Sequence, residues 1–463
     1  MKKKDIENKK LYPLTPSQNA MYLMHKVSLH KQQTQIPTAF TVEEKLDFSI
    51  LRKAFAVELR RNDSLRLRFI KQKGEIFQYF GDVPDIRVSV KYFFSQKEED
   101  EFFTKDAQKK VDFISGETFR IYFFRTAHGK NGIYTNFSHL IIDAMGIMVF
   151  YLDLIRVYQA MLSNNQLPPD LYSFEEQIPK ELEKANDEKK IAKHEKFYKE
   201  YFSEGGTPFY AGAHGSEYLE KFRKKTRNPE ARVPMAYNPL HDKCDMAVLT
   251  LSEEDTNTIY DYCKNHAISP ESVFQLGLRT HCSAINFRTD DVCMMSVCSR
   301  RSTYKEKNMS GCFAQPLIYR TILSEDMTFD DAVIKMADVR KSLYRHASYP
   351  YTKARDMFLR LFDLGPIQGA NNMMFSWIPI SSEGIDGMTI GFRTYNLGRY
   401  FTPLYTMIVP DTDTNGIKIY YMYRTKLINA QQIERLHENM RKTILSGIAS
   451  PTVTVGELLD NIN

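Results

Sequence analysis

Apolar residues recur with helical spacing along some stretches of the chain and alternate with polar residues along others, which predicts an α/β (α+β) fold. The clearest start of a helix is Thr15, because Pro16 fits the first turn and Gln18 completes a capping box. Helical spacing predicts further helices over residues 47–61, 145–158, 255–266 and 271–282, and a last one capped by Asn429. Alternation predicts strands over 65–69, 76–80, 119–123 and 133–137, and a strand pair within 407–423.

The stretch from residue 160 to 245 departs from this pattern. Residues 175–204 are dense in Lys and Glu and predict a surface helix, and Gly205, Gly206 and Gly212 predict a loop-rich crossover after it. A crossover of this kind favours two lobes joined by a linker. The predicted parts are an N-terminal lobe over 1–170, a linker over 171–245 and a C-terminal lobe over 246–463.

Composition indicates a chain with a large buried core and an ordinary polar surface. Of the 463 residues, 43% are hydrophobic and 26% are charged. The net charge of +6 is too modest to indicate nucleic-acid binding, although it favours a phosphate-bearing substrate or an acidic carrier. No apolar segment follows the N-terminal lysines, and the longest apolar run, 147–152, is too short to span a bilayer. We therefore expect a cytoplasmic protein.

Several familiar kinds of site are absent from the sequence. The six cysteines include no C-x-x-C pair, which is typical of reduced thiols in the cytosol and predicts neither disulfides nor a metal site. The chain also lacks glycine-rich nucleotide-binding loops, a G-x-S-x-G elbow and an H-E-x-x-H pair. These absences argue against dinucleotide enzymes, P-loop NTPases, serine hydrolases of the elbow type and zincins.

One candidate for chemistry remains, the H-x-x-x-D pattern formed by His139 and Asp143. His241 and Asp245 match the same short pattern, so the pattern alone does not decide between them. Their contexts differ, because His139 ends a predicted strand and precedes a helix, whereas His241 lies in a loop that contains Pro and Asn. A histidine at the end of a strand can face a cleft and act as a base, which makes His139 the candidate catalytic residue.

Five segments, in order along the chain, resemble the motifs of condensation domains from nonribosomal peptide synthetases. They are 11–18 (LYPLTPSQ), 61–69 (RNDSLRLRF), 138–146 (SHLIIDAMG), 310–316 (SGCFAQP) and 346–351 (HASYPY). Ser138 stands where that family has the first histidine of H-H-x-x-x-D-G, Ala144 where it has the glycine, and Asn62-Asp63 where it has His-Glu. These departures indicate a divergent member.

The resemblance implies two lobes similar to chloramphenicol acetyltransferase, each a mixed sheet with flanking helices, which form a V around a central tunnel. It also implies that His139 is the general base. Asp143, by the same resemblance, is structural and forms an ion pair with Arg61 instead of relaying charge. The other residues of the catalytic loop are Ser138, Ala144 and Gly146.

The implied reaction transfers an acyl group from a phosphopantetheine thioester to an amine or hydroxyl of a small-molecule acceptor. The thioester is borne by coenzyme A or by an acyl- or peptidyl-carrier protein. The length leaves no room for adenylation or carrier domains, so we expect the donor to arrive in trans, at a monomer without a tightly bound cofactor or metal. Two alternatives stay open: a catalytically degenerate binding module on the same fold, and an acyl-CoA-dependent alcohol O-acyltransferase.

Overall fold

The computed structural model describes residues 9–114, 116–235, 238–365, 368, 372–379, 388 and 390–462. In chain order the strands are β1 (Tyr12–Pro13), β2 (Gln35–Val42), β3 (Leu67–Gln72), β4 (Glu75–Phe80), β5 (Ser89–Tyr92), β6 (Phe119–Arg125), β7 (Asn131–Ser138), β8 (Cys244–Leu251), β9 (Asp291–Cys298), β10 (Gln315–Ile322), β11 (Met373–Trp377), β12 (Ile390–Thr394), β13 (Leu404–Asp411) and β14 (Gly416–Arg424). The helices are α1 (Pro16–Val27), α2 (Phe48–Arg61), α3 (Gln96–Ala107), α4 (Ala144–Leu162), α5 (Phe174–Asn186), α6 (Glu188–Ser203), α7 (Glu217–Thr226), α8 (Glu253–Asn265), α9 (Pro270–Ala284), α10 (Tyr304–Lys307), α11 (Phe329–Arg345), α12 (Tyr351–Leu361), α13 (Ala430–Ala449) and α14 (Val455–Asp460).

The chain forms two compact units, each built from segments that are distant in sequence. Unit 1 comprises the described residues of 1–187, 299–315 and 381–399, and unit 2 comprises those of 188–298, 316–380 and 400–463. This division differs from the predicted boundaries, because residues 171–187 belong to unit 1 and 188–245 to unit 2 instead of forming a linker. Two parts of the predicted C-terminal lobe also belong to unit 1, and we call 299–315 the first returning segment and 381–399 the second.

Unit 1 contains a five-stranded mixed sheet in the order β12-β2-β7-β6-β5 and a smaller sheet in the order β1-β4-β3. Strand β7 lies at the centre of the larger sheet, antiparallel to both β2 and β6, and all of its residues are buried. Strand β12 comes from the second returning segment and pairs antiparallel with β2, which places Phe392 opposite Phe40. Because β7 is hydrogen-bonded to a neighbouring strand on each side, the sheet fixes the position of its last residue, Ser138.

Helix α4 is long and apolar enough to cross a membrane by length and composition alone. Most of its apolar residues are instead buried within unit 1, among them Phe150 and Leu154. The hydroxyl of Tyr151 lies 2.7 Å from Oγ1 of Thr135 on β7, which attaches the helix to the central strand. Helix α4 is thus a core helix of unit 1.

Unit 2 contains a six-stranded sheet in the order β10-β9-β11-β13-β14-β8. Strand β11 is parallel to β9 and β13, whereas β13, β14 and β8 are antiparallel, so this sheet is also mixed. Helix α9 packs against α13 at Gly277, where a Cβ would come within 2.8 Å of Cγ of Met440. Each unit is therefore a mixed sheet with helices, which confirms the predicted fold class at this level.

The predicted caps of the first and last long helices are confirmed, and the other predicted helices and strands begin within two or three residues of the observed ones. Thr15 caps α1 with both hydrogen bonds of the capping box, and Asn429 caps α13 in the same way. The strand predicted from residue 65 begins at Leu67 instead, because Asp63–Arg66 form a 3-10 turn.

The Lys- and Glu-rich stretch folds differently from the single surface helix predicted over 175–204. It forms two helices, α5 and α6, which separate at Asp187. Helix α7 has no counterpart among the predicted elements, although Leu219 and Phe222 share one face of it and Leu219 is buried.

Candidate active site

His139 lies immediately after the central strand of unit 1. Strand β7 ends at Ser138. The chain then turns, and the backbone hydrogen bonds of the next residues lie outside the ladder between the strands. The His139 N–H donates to the carbonyl of Thr34 (3.0 Å), and the Ile141 N–H donates to the carbonyl of Ser138 (3.1 Å). The three apolar residues after His139 are all buried, so this turn is anchored in the core.

The environment of His139 favours an uncharged ring. The side chain is partly buried, and its Nδ1 atom is enclosed without a hydrogen-bond partner among the described residues. Burial lowers the pKa of His139 below its usual 6.5, although the Asp143 carboxylate and the backbone at His139 and Ile142 favour the protonated ring. At neutral pH the imidazole is therefore in the state that accepts a proton.

Asp143 is the N-cap of α4, and both of its carboxylate oxygens accept hydrogen bonds from the backbone. Oδ1 accepts from the N–H of Gly146 (2.8 Å), and Oδ2 accepts from the N–H groups of Phe313 and Ala314 (2.8 Å each). The Asp143 N–H in turn donates to the carbonyl of Gly311 (3.2 Å). These bonds join the start of α4 to the end of the first returning segment.

The charge of Asp143 is balanced by Arg301. The Arg301 Nη1 atom lies 2.6 Å from Oδ2 of Asp143, and the two side chains are 2% and 1% exposed. Burial acts to raise the pKa of Asp143, but the Arg301 charge, the Arg301 hydrogen bond and the backbone donors outweigh it, so the pKa is lowered. Arg301 is itself held in place, because its Nε donates to the carbonyl of Glu306 (3.0 Å) and its guanidinium lies 4.5 Å from the centre of the Phe313 ring.

The predicted ion pair between Asp143 and Arg61 is wrong. Arg61 pairs with Asp153, with 2.8 Å between Nε and Oδ2, and with Asp170, with 3.0 Å between Nη1 and Oδ1. Asp153 follows Asp143 by ten residues, which is about 15 Å along a helix axis. The end of α2 therefore faces the third turn of α4 and not its first, a detail that the resemblance of short motifs does not reveal.

The segment 310–316 reaches the catalytic loop through a close approach of two glycines. A Cβ on Gly146 would come within 2.9 Å of the carbonyl oxygen of Gly311. Gly311 has a φ of +124°, which side-chain-bearing residues rarely adopt, and the ring of Phe174 occupies the space where its Cβ would lie. Ser310 Oγ also lies 2.9 Å from Oγ of Ser64, which belongs to the second motif segment.

Four of the five motif segments thus meet in unit 1, because Gln18 of the first segment donates from Nε2 to the carbonyl of Leu140 (2.9 Å). The fifth segment, 346–351, lies in unit 2. There the Nδ1 atom of His346 lies 2.9 Å from Nδ1 of His194, and the ring of Phe197 stacks on the His346 ring.

The residues that depart from the family pattern have structural roles. Ala144 is the first residue of α4 and has ordinary helical backbone, so a glycine is not required there. Asp63 holds the start of α5, whose N-cap is Ser173, since its Oδ2 accepts from Oγ of Ser173 (2.7 Å) and from the N–H of Glu175 (3.0 Å). Ser138 is buried, and its Oγ accepts from the N–H of Leu140 (3.4 Å).

Comparison with known protein families identifies the family of this chain. Residues 8–360 match the family model described as the condensation domain. The chain belongs to the condensation-domain family. Members of this family are typically acyltransferases, and four of the five segments that suggested the resemblance meet in unit 1.

Curated relatives of this condensation-domain chain are much longer proteins. It is 23% identical to surfactin synthase subunit 1 of Bacillus subtilis (strain 168) over 96% of its own length and 12% of that protein. It is 18% identical to bacitracin synthase 1 of Bacillus licheniformis over 98% of its own length and 8% of that protein. The chain therefore corresponds to a small part of each relative.

Solved condensation domains share its fold. The first condensation domain of the calcium-dependent antibiotic synthetase, in complex with a substrate analogue, matches with a TM-score of 0.78 at 14% identity over 97% of this chain and 98% of that one. The starter condensation domain of rhizomide synthetase, in complex with C8-CoA, matches with a TM-score of 0.79 at 14% identity over 96% and 97% of the two chains.

The residue of this condensation-domain site that the sequence did not reveal is Arg301. The sequence places Arg301 nine residues before Ser310, in the same returning segment, but no pattern among its neighbours in the sequence pairs it with Asp143.

Within the described residues, no three His, Cys, Asp or Glu side chains gather where they could hold a metal ion.

Proposed function

We propose that this chain transfers an acyl group from a phosphopantetheine thioester to an amine or hydroxyl, with His139 as the general base. The acceptor attacks the thioester carbonyl while His139 takes the proton from its N–H or O–H group. The resulting intermediate then breaks its C–S bond, and the imidazolium returns the proton to the departing thiol. A positioned base of this kind typically contributes about 10²–10⁴-fold.

The observation that supports this proposal is that Asp143 makes its hydrogen bonds to groups other than the His139 ring. Both carboxylate oxygens of Asp143 are occupied by Arg301 and by backbone N–H groups, and no described hydrogen bond joins the carboxylate to the imidazole. His139 is kept uncharged by burial and needs no charge-relay partner to accept a proton. Asp143 in this proposal holds the loop.

The donor and acceptor classes are inferred from the starter condensation domain of rhizomide synthetase, which has been solved with C8-CoA and Leu-SNAC. These molecules are an acyl thioester and an aminoacyl thioester. A similar pair for this chain would be an acyl-CoA or an acyl-carrier protein as donor and an amine-bearing thioester as acceptor. An alcohol acceptor would use the same base and the same C–S cleavage.

A second candidate function is protein binding without catalysis. It is favoured by the likeness to the X-domain from teicoplanin biosynthesis, solved as a complex with OxyB, which matches with a TM-score of 0.71 at 15% identity over 96% of this chain and 95% of that one. The structural role of Asp63 at a motif position is compatible with either function.

We expect thiol release from C8-CoA that depends on both the protein and an amine acceptor. The assay follows free thiol and the acylated product by mass spectrometry, with a panel of acyl-CoA and acyl-carrier thioesters of different chain length and with amine and alcohol acceptors. Reactions without acceptor measure hydrolysis alone. If no thioester in the panel is consumed by the folded protein, the binding function replaces the catalytic one.

The rate should depend on pH through His139. Because burial lowers the pKa of the ring below 6.5, we expect kcat/KM to rise with pH through that lowered value and to reach its plateau at a lower pH than an ordinary imidazole would give. The profile is measured from about pH 4.5 to about pH 8, since kcat/KM reports the ionisation of the free enzyme. An acidic limb centred at or above the ordinary imidazole value would contradict the buried, uncharged base.

A further inference from the structure

The side chain of Gln18 connects the first helix of unit 1 to the turn that carries His139. Gln18 is the third residue of α1 and is fully buried. Its Nε2 donates to the carbonyl of Leu140 (2.9 Å), the residue directly after His139. We propose that Gln18 is a positioning residue that fixes this turn and so sets the direction of the imidazole, an inference that rests on the proposed function.

All hydrogen-bonding positions of the Gln18 amide are used. Oε1 accepts from the N–H of Thr15 (2.9 Å) and from Nε2 of Gln78 (2.7 Å), while Nε2 donates to Oε1 of Gln78 (2.7 Å) and to the Leu140 carbonyl. A side-chain amide has two N–H donors and two acceptor lone pairs, so this one is satisfied. A flipped amide would set its NH₂ group against the Thr15 N–H and its oxygen against the Leu140 carbonyl. The network therefore permits one orientation.

The backbone around His139 is held on both sides of the residue. Its N–H is fixed by the Thr34 carbonyl (3.0 Å), and the carbonyl of the next residue is fixed by Gln18. Gln78 is itself anchored, because its Nε2 donates to the carbonyl of Pro13 (2.9 Å). The Leu140 N–H, which belongs to the peptide group between His139 and Leu140, donates to Oγ of Ser138 (3.4 Å). Together these three bonds restrain the backbone on both sides of the His139 Cα and so the direction of its Cα–Cβ bond. Small displacements matter here, since misplacing a catalytic group by ~1 Å can cost on the order of 10²-fold in rate.

Helix capping alone does not account for an amide at this position. The capping box uses only Oε1 of Gln18, which accepts from Thr15, and a glutamate would complete the same box. The NH₂ group points the other way, toward the Leu140 carbonyl and Gln78. A glutamate lacks those two N–H donors when ionised. The amide is thus suited to holding the turn as well as capping the helix.

The test compares Gln18→Glu and Gln18→Met with Thr15→Ala as the matched control. Gln18→Glu keeps the length of the side chain and the capping acceptor, and Gln18→Met removes all four hydrogen bonds. Both should lower kcat for C8-CoA transfer by about 10- to 100-fold with little change in KM, because the base is misdirected while the substrate contacts remain. Thr15→Ala removes the cap and should lower the melting temperature while kcat stays unchanged.

A second readout separates this inference from the proposed function. NMR titration of the His139 ring, assigned by comparison with His139→Gln, reports the turn without requiring activity. We expect the midpoint to move up toward 6.5 in both Gln18 variants, as the loosened turn admits water, and to stay in place in Thr15→Ala.

Absence of acyl transfer in the wild-type protein would contradict the proposed function alone, and the ring titration would still decide the role of Gln18. Folded Gln18 variants with an unchanged ring titration would overturn that role, as would unchanged kcat. If Gln18→Met does not fold, Gln18→Glu decides, because it retains the helix cap.

Discussion

Replacing His139 with alanine is expected to lower kcat/KM for acyl transfer by at least about 10²-fold and to leave the fold intact. The loss follows from removal of the group that takes the acceptor proton. The fold should survive because the bonds that hold the turn, from the His139 N–H to Thr34 and from the Ile141 N–H to Ser138, are made by the backbone and are kept in the alanine variant. Steady-state kinetics give the loss in rate, and circular dichroism with thermal unfolding shows whether the protein remains folded.

His241→Ala is the matched control for this experiment. His241 stands in the other H-x-x-x-D match, but it is exposed and lies in the 3-10 turn Pro239–His241 of unit 2. We expect its removal to leave kcat/KM unchanged. Near-normal turnover in a folded His139→Ala protein would exclude the general-base mechanism.

Replacing Asp143 with alanine is expected to lower the free energy of unfolding by about 3–5 kcal/mol, because it leaves the buried charge of Arg301 without a partner. Loss of activity should follow from this loss of stability. Since the pKa of Asp143 is lowered in the folded state, its stabilising contribution is present above the ordinary value of 3.8 and is lost as the pH falls through the lowered value. Urea unfolding at neutral pH measures the effect.

Two double-mutant cycles identify the partner of Asp143. Asp143→Ala combined with Arg301→Ala should show a coupling of at least about 1 kcal/mol in the free energy of unfolding, as expected for residues in direct contact. Asp143→Ala combined with Arg61→Ala should be additive within about 0.5 kcal/mol, because Arg61 pairs with Asp153 three turns away. A stable Asp143→Ala protein that loses only catalysis would instead indicate a relay role for the carboxylate.

The sequence predicts those features of the site that depend on neighbouring residues. The capping box at Thr15 needs only the next three residues, and the N-cap role of Asp143 follows from its place before an apolar helical pattern. The placement of His139 after a strand follows from alternation over 133–137. Hydrophobic periodicity and capping act over a few residues, so a single sequence records them directly.

Features that depend on distant residues could not be obtained in this way. Arg301 is 158 residues from Asp143, and no periodic pattern connects them. The resemblance supplied Arg61, which lies on the helix beside α4 and pairs with a different aspartate on it. The two compact units differ from the predicted boundaries for the same reason, because β12 joins the sheet of unit 1 by pairing with β2, which is more than 340 residues earlier in the sequence.

The two returning segments have a consequence for how the protein is made. Asp143 leaves the ribosome 158 residues before Arg301, which at about 5–20 residues per second is a wait of roughly 8 to 30 s. During that interval the carboxylate has neither its counter-charge nor the backbone donors of Phe313 and Ala314, and β2 lacks its outer neighbour β12. Unit 1 therefore cannot be completed in the order in which it is synthesised. Its apolar strands are exposed to chaperones or to aggregation until most of unit 2 has also been translated.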